Sequence, residues 1–123
     1  MGKAVVAIVD DDYRMLEALQ DLLESADYDV RAFSSASAFL VSPCFERVDC
    51  LICDICMPGI DGWFVQRQVA LRRPTLPLIL ITAHAVDAKL NCSRCIGKQP
   101  ELFMKPLDSR LLLQSIQSHV GGR

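Results

Sequence analysis

The sequence predicts an α/β domain built on a five-stranded parallel sheet with right-handed crossovers. Two observations carry that reading. Short apolar runs alternate along the chain with segments of helical periodicity, the signature of β-α units and a parallel sheet. The runs are continuous and rich in β-branched residues, as strands covered on both faces are.

Each element follows from its residues. Ala4–Val9 reads as the first strand, and Asp12 can cap the next helix, where Met15, Leu16, Leu19, Leu22 and Leu23 recur on one face. Asp29–Phe33 is a short second strand. Ser34 or Ser35 caps a short helix that turns Ala38, Phe39 and Leu40 inward and ends before Pro43. Val48–Asp54 is the third strand, and Pro58-Gly59-Ile60-Asp61-Gly62 is turn chemistry. Trp63–Arg72 is a helix with Val65, Val69 and Phe64 inward, ended by Pro74, with Trp63 a partly exposed aromatic at its first turn. Leu76–Thr82 is the fourth strand, with Pro77 tolerated at its start. Leu102–Met104 is the fifth, and Ser109–Val120 closes the fold with Leu112, Leu113, Ile116 and Val120 toward the core. Between Thr82 and Glu101, Asn91-Cys92-Ser93 and Gly97-Lys98-Gln99-Pro100 interrupt the pattern, so a fourth helix there is short or distorted.

Composition narrows the function. The 123 residues suit one domain, 51% of them are hydrophobic, and the formal net charge is −2. No basic stripe offers a nucleic-acid surface, so direct nucleic-acid contact is not expected. No apolar stretch reaches the roughly 20 residues of a membrane span, and no signal peptide is evident. The expected compartment is a reducing cytoplasm, where the six cysteines are thiols. Cys53/Cys56 and Cys92/Cys95 have zinc-ribbon spacing, but one buried strand does not aim both sulfurs of the first pair at one metal. Structural thiols are the expectation for both pairs.

The chemistry sits where the strands end. Asp10-Asp11-Asp12, Asp54, Thr82 and Lys105-Pro106 each follow an apolar run, so parallel strands would bring them to one sheet edge. Ligands of open α/β sheets bind at that edge. Carboxylates, a hydroxyl and an amine together suit a divalent metal and a phosphoryl group: Mg²⁺ takes oxygen ligands, and a fixed ammonium neutralises phosphoryl oxygens.

Val9-Asp10-Asp11, Asp54-x-x-Met57-Pro58-x-x-x-Gly62, Ile81-Thr82-Ala83 and Lys105-Pro106, in that order, resemble the receiver domain of bacterial two-component response regulators. Phe33-Ser34-Ser35-Ala36 and Ile81-Thr82-Ala83-His84 look most like receivers of the nitrogen-fixation type of transcriptional regulator. The resemblance covers essentially the whole chain, from Lys3 to about His119, and implies a single receiver domain over 1–123. It implies a doubly wound, flavodoxin-like sheet of strand order 2-1-3-4-5 with helices on both faces, and a signalling switch rather than a turnover enzyme. By resemblance, Asp54 is the phosphoacceptor, and Asp10, Asp11, Asp54 and the backbone carbonyl of Cys56 hold Mg²⁺. Thr82 and Lys105 bind the phosphoryl oxygens. The donor would be a sensor histidine kinase, the target an output domain in the same or another chain, with transcription the controlled process and homodimerisation on phosphorylation a further expectation.

Three departures from the family pattern stand out. Gly97-Lys98-Gln99-Pro100 replaces a small Ala-Gly-Ala-like turn, and the Thr82-to-Lys105 interval is one residue longer than usual. The aromatic position before the lysine holds Leu102, with Phe103 next to it, so either Phe103 substitutes through a local shift or the aromatic signal is missing. Cys56 and His84 occupy the positions that tune phosphoryl lifetime in the family. Two other classes compete. A haloacid-dehalogenase-like phosphatase would use Asp10 and Asp12 with Thr82 and Lys105, but it leaves Asp54 without a role. An interaction module that is never phosphorylated would not need the full acid, threonine and lysine set.

Overall fold

In the computed structural model, which describes residues 2–83, 96–97 and 99–120, the five strands form one parallel sheet of order β2-β1-β3-β4-β5. They are β1 (Val5–Val9), β2 (Asp29–Phe33), β3 (Cys50–Asp54), β4 (Leu78–Thr82) and β5 (Glu101–Met104). The described helices are α1 (Tyr13–Ser25), α2 (Ala36–Leu40), α3 (Gly62–Arg72) and the closing helix α4 (Ser109–Val120). The predicted helix between Thr82 and Glu101, with His84, Cys92 and Cys95, lies outside the described residues.

The central strands are buried along their whole length, which explains their unbroken apolar sequences. Register aligns the strand ends: Val9 lies opposite Cys53, Asp54 opposite Ile81, and Thr82 opposite Met104. The ladder runs on past the strands, with Lys105 N–H donating to the Thr82 carbonyl at 2.8 Å and Ile55 N–H to that of Ile81 at 2.9 Å. Backbone hydrogen bonds thus fix the heights of the residues that follow each strand.

Two apolar layers sandwich the sheet. On one face α2 and α3 cover Ala7, Val9, Leu51, Cys53 and Leu80. On the other α1 and α4 cover Val6, Ile8, Ile52, Ile79 and Ile81. Phe39 anchors the first layer: its ring meets Phe33 edge-on at 5.3 Å and stacks with Phe45 at 5.1 Å. Phe45 belongs to a 3₁₀ turn, Pro43–Glu46, where the sequence suggests only a break. The Arg72 guanidinium lies 4.1 Å above the Phe45 ring and pairs with Glu46, tying that turn to the end of α3.

Two expectations for α3 are corrected. The helix begins at Gly62, capped by the Asp61 carboxylate, which accepts from Phe64 N–H at 3.0 Å. Its buried stripe is Gly62, Trp63, Val65, Gln66 and Val69. Trp63 is therefore core, 3% exposed, and Phe64 falls off the stripe, with Arg67 above its ring. The β5 question is also resolved. Leu102 pairs with Leu80 in unshifted register and is exposed, whereas Phe103 packs into the layer beneath α1 and α4. Phe103 does not substitute for an aromatic at position 102, because successive strand residues point to opposite faces.

Removing the Phe39 ring should leave a cavity between the Phe33 and Phe45 rings. Phe39→Ala is expected to lower unfolding free energy by about 3–5 kcal/mol, measured by urea denaturation.

Candidate functional site

The site is assembled at the carboxyl edge of the sheet. Asp10 follows β1, Asp54 ends β3, Thr82 ends β4 and Lys105 follows β5. Asp10 is fully buried and Asp54 is 5% exposed. Lys105 Nζ reaches both, 3.3 Å from Asp10 Oδ2 and 3.3 Å from Asp54 Oδ2. Oxygens of Asp10, Asp11 and Asp54 lie within 4.8 Å of one another, with Asp11 exposed at the rim.

Backbone donors orient the two buried carboxylates. Asp12 N–H donates to Asp10 Oδ1 at 2.9 Å, and Cys56 N–H donates to Asp54 Oδ1 at 3.1 Å. Each buried acid thus turns one oxygen to a loop amide and the other to the ammonium. The Asp54 backbone is held from behind by α3. A Cβ on Gly62 would stand 2.8 Å from both the Asp54 carbonyl oxygen and Ile55 Cα, so only glycine permits this approach.

The electrostatics follow. Burial, more than any other influence, raises the Asp10 carboxyl above its ordinary value; the Asp12 amide opposes this, the Asp54 charge adds to it and Lys105 opposes it. For Lys105, burial alone would favour the neutral amine, but the charges of Asp10 and Asp54 outweigh it and raise its pKa. One ammonium thus faces two buried carboxylates with a third at the rim. Hard oxygen donors carrying surplus negative charge fit a small divalent cation.

Of the residues the sequence singled out, Asp10, Asp11, Asp54 and Lys105 come together, and Thr82 stands fully buried at the neighbouring strand end. Asp12 does not join them: its carboxylate caps α1 through Arg14 N–H at 2.9 Å. A phosphatase using Asp12 as its acid would have that group engaged elsewhere and Asp54 at the centre unused. The Cys56 amide bond to Asp54 has no side-chain signal and escaped the sequence reading. Cys53 is fully buried with its thiol pKa pushed up by desolvation, Cys50 likewise to about 12, and Cys56 is exposed. The buried Cys53 thiol donates to the Asp54 carbonyl at 3.4 Å, and the metal-competent cluster among the described residues contains no cysteine.

A parallel sheet of this order, with paired acids and a lysine at its carboxyl edge, suits a phosphoryl-handling signalling domain. The family model for the response regulator receiver domain matches residues 6–117, and the chain belongs to that family. It is similar to the response regulator protein TmoT of Ectopseudomonas mendocina, 36% identical over 94% of this chain and 52% of that protein. It is also similar to the C4-dicarboxylate transport transcriptional regulatory protein DctD of Rhizobium meliloti, 33% identical over 89% of this chain and 24% of that protein. Among solved structures, response regulator StyR is 34% identical with a TM-score of 0.78, over 98% of this chain and 60% of that one. The chain thus spans about half the length of TmoT and a quarter of DctD. Its class is phosphorylation-activated two-component signalling, and nothing supports the phosphatase alternative. No described helix is long and apolar enough to cross a membrane.

The charge imbalance has a measurable consequence. A group whose native pKa is raised makes the native state bind the proton more tightly, so its contribution to stability falls as pH rises above the ordinary value of 3.8. Asp10→Asn should therefore raise the thermal midpoint by a few degrees at neutral pH in a chelator. The gain should shrink as pH falls toward that value, measured by calorimetry across the range.

Proposed function

We propose that this chain is a receiver switch in which Asp54 accepts a phosphoryl group from a phosphohistidine on a sensor histidine kinase. The observation that carries this is the placement of one ammonium, Lys105 Nζ, 3.3 Å from a carboxylate oxygen of Asp54 and of Asp10 alike. Asp54 Oδ2 attacks phosphorus, the bond from phosphorus to the histidine nitrogen breaks, and the electron pair leaves with the imidazole, which takes up a proton. Lys105, held above its ordinary pKa, stays charged and stabilises the equatorial oxygens. Thr82 supplies a hydroxyl to a phosphoryl oxygen from the adjacent strand end. Asp10, Asp11, Asp54 and the Cys56 carbonyl hold Mg²⁺, which supplies the charge neutralisation that an anion attacking an anion needs.

The readout is a shift between two packings. A phosphoryl group adds about 1.5–2 negative charges and three acceptors at Asp54. Engagement of Thr82 and Lys105 by those oxygens changes the balance of the strand ends and biases the surface around β5 and α4. That surface signals to an output domain, in this chain's parent protein or separately, with transcription as the controlled process and homodimerisation as an accompanying step. The setting is the cytoplasm, and nucleic-acid contact falls to the output domain.

Incubation with radiolabelled acetyl phosphate and Mg²⁺ tests the phosphoacceptor. The parent should take up label that is labile to alkali, and Asp54→Asn should lower incorporation about a hundredfold. Equal incorporation by Asp54→Asn would remove Asp54 from the role. Steady turnover of p-nitrophenyl phosphate by the parent would instead restore the hydrolase reading.

A further inference from the structure

Gln66 is 2% exposed, yet it sits on a helix face otherwise lined by apolar residues. Both ends of its amide serve a single residue outside the helix. Nε2 donates to the Ile96 carbonyl at 2.6 Å, and Ile96 N–H donates to Oε1 at 3.1 Å. The side chain imitates a strand neighbour and grips the stretch that enters β5. The pairing matters most on the Gln66 side, because its buried amide atoms would otherwise lack partners, whereas Ile96 is exposed.

Gln66 occupies the middle of a stripe. Positions four apart share a helix face, so Gly62, Gln66 and Ala70 line up along α3. Gly62 lies against the Asp54 carbonyl and Ile55. Ala70 faces Gly97, where an added Cβ would stand 3.5 Å from that of Ala70, and Gly97 has φ of +67°, a conformation that favours glycine. One rigid helix therefore touches the phosphoacceptor backbone at its first turn and holds residues 96–97 at its later turns. A small cavity of about 70 Å³, lined in part by Gln66, Ala70, Gly97 and Glu101, leaves room for that stretch to shift. Beyond it, β5 carries the exposed apolar side chains Leu102 and Met104, then Lys105.

We infer that Gln66 is a positioning residue of the switch, whose amide clamps the entry to β5 onto α3 so that a displacement of α3 at Asp54 reaches the β5 surface. The coupling half of this inference rests on Asp54 being the phosphoacceptor; the clamp itself does not. The position of the clamp also matches the departures in this chain. It grips Ile96, which in sequence immediately precedes Gly97-Lys98-Gln99-Pro100, upstream of a β5 that carries Leu102 rather than an aromatic.

Hydrogen exchange of backbone amides decides both halves. In Gln66→Leu without any phosphodonor, the Ile96 amide should exchange about tenfold faster than in the parent while β1 and β3 amides keep their protection. Unchanged Ile96 exchange overturns the clamp. Gln66→Glu supplies a second variant of the same shape. Its ionised carboxylate repels the Ile96 carbonyl, and its protonated form again offers one donor and one acceptor. Ile96 protection relative to the parent should therefore be lost at high pH and regained as pH falls; a pH-independent ratio also counts against the clamp. With acetyl phosphate and Mg²⁺, Gln66→Leu should take label on Asp54 as the parent does, but the change in exchange at Glu101–Met104 should fall by at least about half. A full response overturns the coupling, and absence of label in the parent overturns the phosphoacceptor reading while leaving the clamp result standing.

Discussion

Two buried carboxylates sharing the Lys105 ammonium set the terms for this molecule. Asp10 and Asp54 are out of water, and among the described residues Lys105 is the cation within reach of both. Charges removed from water are costly unless paired, and here the pairing is incomplete. The surplus negative charge disfavours the bare domain and favours whatever cation or charge rearrangement relieves it. A site built that way is sensitive to ions by construction, and sensitivity of that kind is what a switch requires.

The fold exists in good part to hold that arrangement. The acids and the lysine come from strands far apart in sequence, and parallel register brings their ends to one level. Continuous burial of β3 and β4 keeps the strands from slipping, since a slip of one residue would exchange their faces. The loop amides of Asp12 and Cys56 aim the buried oxygens, and Gly62 lets α3 press directly on the Asp54 peptide. The same helix reaches the entry of β5 through Gln66. One helix thus touches the Asp54 peptide at Gly62 and Ile96 at Gln66.

What could be read from the residues divides along physical lines. Strand cores announce themselves by unbroken apolar runs, so the sheet and the loaded residues at its edge are legible in the residues alone. The order of strands came from likeness to a family, since apolar runs say nothing about which neighbours pair. Trp63 was misplaced because the turn chemistry of Pro58–Gly62 hid the Asp61 cap; starting the helix at Gly62 defines the buried stripe that takes in Trp63 and leaves Phe64 out. The 3₁₀ turn at Pro43–Glu46 was missed for a similar reason, as Pro43 signals an end and equally a first position of a new turn. Gln66 was invisible because a glutamine in a helix reads as surface, and only its two bonds to Ile96 explain its burial. The Cys56 amide carries no side-chain chemistry at all, so its hold on Asp54 belongs to structure alone.

The charge balance can be measured without phosphate. A double-mutant cycle of Asp10→Asn and Lys105→Met, followed by urea unfolding in a chelator, isolates the interaction between the two groups. Lys105→Met alone should destabilise, because it strands two buried carboxylates against each other. In the Asp10→Asn background the same change should cost much less, giving a coupling of about 1–3 kcal/mol. Additive effects, with no coupling between Asp10 and Lys105, would contradict the claim that one ammonium holds this site together.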